Sequence, residues 1–130
     1  MIVDTNVLIR VMQGHEQAKR TLAELEEGSV SLNLSSMSLF ELYHSVERVN
    51  NSAERRRRIE AVLDSKRTYP ADSAVMRKAG RIDGQLTSEG RAIGMGDTLI
   101  GATALVNEEP VLTENVEHFE RIDGLDIESY

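Results

Sequence analysis

The chain contains no cysteine. That excludes a disulfide framework and a thiolate zinc site, and it fits a reducing compartment. Tryptophan is absent as well, and only two phenylalanines and three tyrosines occur. Recognition by stacking on splayed bases therefore cannot be the main binding mode. No apolar stretch reaches the roughly 18 residues of a membrane span, and the N-terminus lacks the charged, apolar, small-residue order of a secretory signal. A soluble, cytoplasmic protein with no membrane association is the expectation. Basic excess is also missing: 15 Lys and Arg stand against 22 Asp and Glu, a net charge of -7. This is the wrong sign for a general nucleic-acid-coating protein. Local charge still counts, because the field decays over roughly 8 Å at physiological salt, and most basic residues fall between Arg48 and Arg91.

What is present reads as an α/β chain forming one domain over residues 1–130. Ile2 to Asp4 reads as a strand, Thr5 to Met12 as a short helix, and His15 to Glu27 as a second helix closed by Gly28. Val30, Leu32 and Leu34 alternate as a strand does. Ser35-Ser36 then leads into a helix with the stripe Leu39, Leu42, Val46 and Val49. Ser52 is read as the cap of a helix running to Lys66. Thr68 to Pro70 is a poor strand candidate, and Asp72 caps a helix carrying Val75, Ala79, Ile82 and Leu86. Gly80 and Gly84 on that helix cost about 1 kcal/mol each relative to Ala, which points to close packing or a kink. Gly90 to Gly96 reads as a flexible connector. Thr98 to Val106 is apolar on nearly every face and belongs between layers. Pro110 to Thr113 and Leu125 to Ile127 are the last strands. Alternating strands and helices imply a mostly parallel sheet covered on both faces.

In such sheets the ligand crevice lies outside the carboxyl ends of the strands. Asp4 and Asn115 fall just past strand ends, while Glu41 and Asp97 begin helices that reach the same edge. Each has a local explanation. Asp4, Asp97 and Asn115 occupy plausible N-cap positions, and Ser38-x-x-Glu41 matches a capping box. Capping does not explain carboxylates ahead of three different helices at one sheet edge, where they repel unless a cation neutralises them. As a set they read as a site for Mg²⁺ or Mn²⁺, hard ions that take carboxylate and water oxygens. Such an ion suits phosphodiester hydrolysis. Asp4 and Asp97 are the expected principal ligands, Glu41 a ligand or base, and Asn115 a weaker neutral corner. Thr5 and Thr113 are hydroxyls at the strand ends that can hold water or a phosphate oxygen, or simply serve the turns.

The segments MIVDTNVLIR, SMSLFELYHSV, GMGDTLIGATAL and VLTENVEHFERIDGL resemble the successive motifs of PIN-domain ribonucleases, specifically VapC-type toxins, across the whole chain. The resemblance implies a PIN-like three-layer α/β fold with a five-stranded, mostly parallel sheet. It implies Mg²⁺- or Mn²⁺-dependent endoribonuclease activity that inhibits translation, with transfer RNA as the guessed substrate. It further implies a homodimer and a VapB-type antitoxin partner. Carried over by position, it assigns Asp4, Glu41 and Asp97 to the metal, with Asn115 at a corner where the family often has aspartate. Ser45 stands where the family often has glycine.

Other features have two readings. Arg55 to Arg58 form a solvated helix face paired with Glu54 and Glu60, or Arg55, Arg56 and Arg58 contact RNA phosphates. Glu114 and Glu117 are read as exposed, and His118 as a capping or packing residue rather than a base. Phe40, Tyr43, Val46 and Val49 are core or a partner surface. A phosphoacceptor domain would need paired acids after the first strand and a late lysine, and a dehalogenase-type phosphatase would need D-x-D where Asp4-Thr5-Asn6 stands. No glycine-rich nucleotide motif occurs. The remaining alternative is a PIN-like module that binds RNA or protein without cleaving it.

Overall fold

A computed structural model describes all residues, Met1–Tyr130. Five strands form one sheet: β1 (Ile2–Val3), β2 (Asn33–Ser35), β3 (Arg67–Tyr69), β4 (Val111–Leu112) and β5 (Ile127–Glu128). Their order is β3-β2-β1-β4-β5 and every pairing is parallel. The helices are α1 (Thr5–Met12), α2 (Glu16–Glu27), α3 (Ser36–His44), α4 (Ser52–Leu63), α5 (Ser73–Ser88), α6 (Met95–Val106) and α7 (Val116–Phe119), with a 3₁₀ turn at Val46–Arg48. No helix is long and apolar enough to cross a membrane.

The two-residue period of the strands divides the core. Val3, Leu34 and Leu112 pack with Val7, Leu8, Leu42, Ile59 and Val62 on one face. Ile2 and Val111 pack with Leu86, Ile100, Phe119 and Ile122 on the other. Burying each such side chain contributes roughly 1.5–3 kcal/mol. At β2 the polar residues alternating with Leu34, Asn33 and Ser35, are both buried as well. Parallel sheets are covered on both sides, and here the polar residues find partners there. Thr103 of α6 donates to Ser35 Oγ at 3.1 Å, and Asn33 donates to Glu109 at 2.7 Å. Glu109 also accepts from the Met1 amino group and the Tyr69 hydroxyl. Burial raises the Glu109 carboxyl, but these donors outweigh it and hold the pKa below the ordinary value.

The apolar segment from Thr98 indeed lies between layers, with every residue through Ala104 buried. Gly101 makes this possible: a Cβ there would stand 2.4 Å from Ile122 Cδ1. Of the two expectations at Gly80 and Gly84, close packing fails, since a Cβ at either would meet nothing within 4 Å. The helix carrying Leu39 and Leu42 also stops early, because Ser45 donates to the Leu42 carbonyl at 2.7 Å and the chain tightens into the 3₁₀ turn. Val49 is therefore left exposed. Asn51, not Ser52, is the cap of α4, and that helix ends at Leu63 rather than Lys66.

Candidate functional site

β1 and β4 are neighbours at the centre of the sheet although their sequence positions are far apart. The strand order changes direction here, which opens a crevice beyond the carboxyl ends. Asp4 and Thr113 follow these strands directly. The Asp4 N–H donates to the Leu112 carbonyl at 2.9 Å, fixing the aspartate on the sheet. Asp4 holds the N-cap backbone position of α1, but its side chain makes no capping bond. It instead accepts the Thr113 hydroxyl at 2.7 Å and is only 2 % exposed.

The other cap readings fail in the same way. Asp97 is the third residue of α6, whose cap is Gly94, with φ +93°. Asn115 sits at the cap of α7 without a side-chain capping bond. Ser35, not Ser38, caps α3, so Glu41 closes no capping box. It accepts the Thr5 hydroxyl at 2.8 Å, and Thr5 Oγ1 lies 2.8 Å from the buried Ser38 hydroxyl. Gly96 allows this approach, since a Cβ there would stand 3.0 Å from Glu41 Oε2.

The acids feel one another. Asp4 is pushed up from 3.8 to about 6, first by burial and then, against the Thr113 hydrogen bond, by the charges of Asp97 and Glu41. No three Asp, Glu or His side chains stand close enough to share one ion. The edge divides into two adjoining parts: Asp4 with Glu41 through Thr5, and Asp97 with Asn115 and His118. Asn115 Nδ2 donates to Asp97 Oδ2 at 3.1 Å, and His118 Nδ1 lies 2.9 Å from the same oxygen.

His118 is thus no mere capping or packing residue. Its signal in the sequence was its position three residues after Asn115, which puts both on one helical face. Gly96, which sits beside Glu41, was also missed, and Ser38, read as a cap, instead meets the Thr5 hydroxyl. Glu114 is exposed, as expected, and it pairs with Arg10 at 2.9 Å and accepts the Tyr130 hydroxyl. Burial and that carboxylate push Tyr130 up to about 12. Glu117 is exposed, as expected. An open polar groove of about 450 Å³, lined by Asn6, Ile9, Arg10, Gln13, Glu114 and Asn115, adjoins the edge.

The arginine run is divided. Arg55 donates to Ser45 Oγ at 2.9 Å, and Arg58 pairs with Glu54 at 2.8 Å. Arg56 and Arg57 are exposed. Of the apolar candidates, Val46 is core, whereas Phe40 is 66 % exposed and Tyr43 40 %.

A family model described as PIN domain matches residues 1–125. Ribonuclease VapC10 of Mycobacterium tuberculosis is 33% identical over 125 residues, spanning 96% of this chain and 90% of that protein. The tRNA(fMet)-specific endonuclease VapC of Shigella flexneri is 26% identical over 129 residues, spanning 99% and 96%. Among solved structures, VapBC2 from Rickettsia felis, bound to a DNA fragment from its promoter, aligns with a TM-score of 0.89 at 22% identity, covering 98% of this chain and 96% of that one. VapBC from Salmonella typhimurium, also DNA-bound, aligns at 0.88 and 23%, with the same coverage.

Proposed function

The chain belongs to the PIN-domain family, among its VapC-type members, and from that premise we propose that it is a divalent-cation-dependent endoribonuclease, the toxin of a toxin–antitoxin pair. The single observation carrying the reading is Asp4: a buried carboxylate beside two other acids, serving no helix cap. Burying uncompensated charge is costly, and a divalent cation relieves that cost.

The donor set fits Mg²⁺ or Mn²⁺. These ions take oxygen ligands, and Mg²⁺ commonly uses one or two carboxylates with water completing the octahedron, so a ready-made cage of three acids is not required. Asp4 and Asp97 would hold the ion, with Glu41 as ligand or base. Such an ion supplies Lewis acidity toward a phosphate oxygen and lowers the pKa of water. The protein's own part is orientation. Thr113 fixes one oxygen of Asp4, and Thr5 fixes Glu41. Glu41, accepting only the Thr5 hydroxyl, keeps lone pairs to take a proton from an attacking water. In-line displacement would leave a 5′-phosphate and a 3′-hydroxyl. Asn115 is a neutral corner, tied to Asp97.

RNA contact falls to the groove beside Asn115 and to exposed Arg56. Arg55 and Arg58 have intramolecular partners and would have to leave them. The tRNA(fMet) specificity of the Shigella relative supports transfer RNA as the substrate class, with arrest of translation as the consequence. The VapBC structures support a VapB-type antitoxin, for which exposed Phe40 and Tyr43 are a candidate surface, and a homodimer is part of the same reading.

Asp97→Asn tests it. Purified wild type should cleave RNA with Mg²⁺ or Mn²⁺ and stop on chelation, while the variant keeps its circular dichroism and loses cleavage. Equal cleavage by both proteins overturns the site assignment.

A further inference from the structure

The outward face of α1 carries Asn6, Ile9, Arg10 and Gln13, whose spacing of three and four residues lines them up along one side of the helix. With Glu114 and Asn115 they wall the polar groove of about 450 Å³. The groove opens onto the catalytic edge: Asn6 stands two residues after Asp4, and Asn115 donates to Asp97 at 3.1 Å. From Asn6 to Gln13 it follows α1 for about 10 Å. Its volume falls in the range of small-ligand sites and suits one unstacked nucleotide. Its place makes that nucleotide a neighbour of the broken bond.

The donors decide what the groove takes. Arg10 meets Glu114 through Nε, at 2.9 Å, and the other Glu114 oxygen accepts the Tyr130 hydroxyl. Held from behind in this way, the guanidinium keeps both terminal amino groups free. Glu114 also offsets the arginine charge, which weakens the pull on a phosphate and leaves a fixed donor fork for a neutral acceptor edge. Asn6 and Gln13 are exposed, and their amides, each with one acceptor and two donors, have no partner in the protein. Ile9 is the one apolar side chain in the groove, a contact for the face of a base in a chain with few aromatic rings. Guanine presents O6 and N7 as adjacent acceptors, the match for a guanidinium fork, and its N2 amino group for an amide oxygen. Adenine sets an amino group where O6 stands and would confront the Arg10 donors.

We infer that this groove reads a guanine in the nucleotide beside the scissile bond, with the Arg10 fork on O6 and N7 and the Asn6 and Gln13 amides on the remaining polar edge. This rests on the ribonuclease reading for the cut and on the groove alone for the base.

The full chain with Mg²⁺ is given a pool of single-stranded RNA of random sequence, and the cut ends are sequenced. Guanine should be enriched roughly tenfold over adenine at one fixed position adjoining the cut. Replacing that guanine by 7-deazaguanine, which lacks the N7 acceptor, should lower wild-type kcat/KM at least about fivefold. Arg10→Gln should shift the preference to adenine, whose N6 and N7 a glutamine amide pairs, and should lose nothing further from 7-deazaguanine. Binding of the same pool to the full chain in chelator needs no cleavage, and the bound RNA should show the same guanine enrichment. No base enriched beside the cut, a preferred base other than guanine, or an unchanged preference in Arg10→Gln overturns the inference. Free guanosine monophosphate that displaces bound RNA at equal concentration assigns the groove to a mononucleotide and overturns it too. The two readings fail separately. Metal-dependent cleavage without a base preference sinks only the groove assignment, and guanine-selected binding without any cleavage sinks only the nuclease.

Discussion

Thr113 donates its hydroxyl to Asp4 Oδ2 across the β1–β4 pair, at 2.7 Å and out of contact with solvent. This bond and one from the Thr5 backbone stabilise the carboxylate; burial and two neighbouring charges oppose them and prevail. The edge thus holds a charge that the fold alone would rather keep protonated. A cation is the natural complement.

The pH dependence of the metal-free protein follows. The folded-state pKa of Asp4 is about 6 against 3.8 ordinarily, so the folded state binds the proton more tightly. The associated stability is full below about pH 4 and is lost as pH rises through 6, amounting to about 3 kcal/mol at pH 8. Asp4→Asn should therefore be the more stable protein at pH 8 in chelator, with the gap closing toward pH 4. Urea titrations across this range check it. Adding Mg²⁺ at pH 8 should stabilise wild type and not the variant.

Thr5→Val should spare the fold and impair the chemistry. The two side chains have similar shape, but Val cannot donate to Glu41 or pair with the buried Ser38 hydroxyl. Leaving Ser38 unpartnered costs about 1–3 kcal/mol. Freeing Glu41 should lower the cleavage rate roughly 10–100-fold, the usual scale for groups that orient metal-site ligands. Thr5→Ser, which keeps the hydroxyl, should restore most of the rate.

The glycines separate by surroundings. Gly80→Ala and Gly84→Ala should each stabilise by roughly 0.5–1 kcal/mol, because both sites are helical, exposed and open. Gly101→Ala should destabilise by about 1–3 kcal/mol, since the new methyl group would drive Ile122 from its buried position. Thermal unfolding of the three variants measures the contrast.

Much of this was legible in the chain. Thr5–Met12 was readable because its apolar spacing and flanking Asp4 and Gly14 agree, and α6 because an all-apolar helix has nowhere to go but inside. The sheet edge was legible for the same reason: polar residues after apolar strands sit at carboxyl ends. What stayed hidden depended on distant partners. Local rules made caps of Asp4, Asp97 and Asn115, while the bonds their side chains form are to residues such as Thr113, 109 positions from Asp4. His118 was misread because its partner, Asp97, lies on another helix. At β2 the alternation of Leu32 and Leu34 was real, but nothing in it told that Ser35 would meet Thr103.

The central place of β1 has a consequence for biosynthesis. Asp4 is synthesised 109 residues before Thr113, and β2 can pair with its strand early. The strand on its other side is made of residues 111 and 112, and the hydroxyl and amide that complete the edge come just after them. At roughly 5–20 residues per second of elongation, the chain carries an unfinished edge for several seconds. The order of synthesis thus delays assembly of the edge until β4 and the residues just after it have been made.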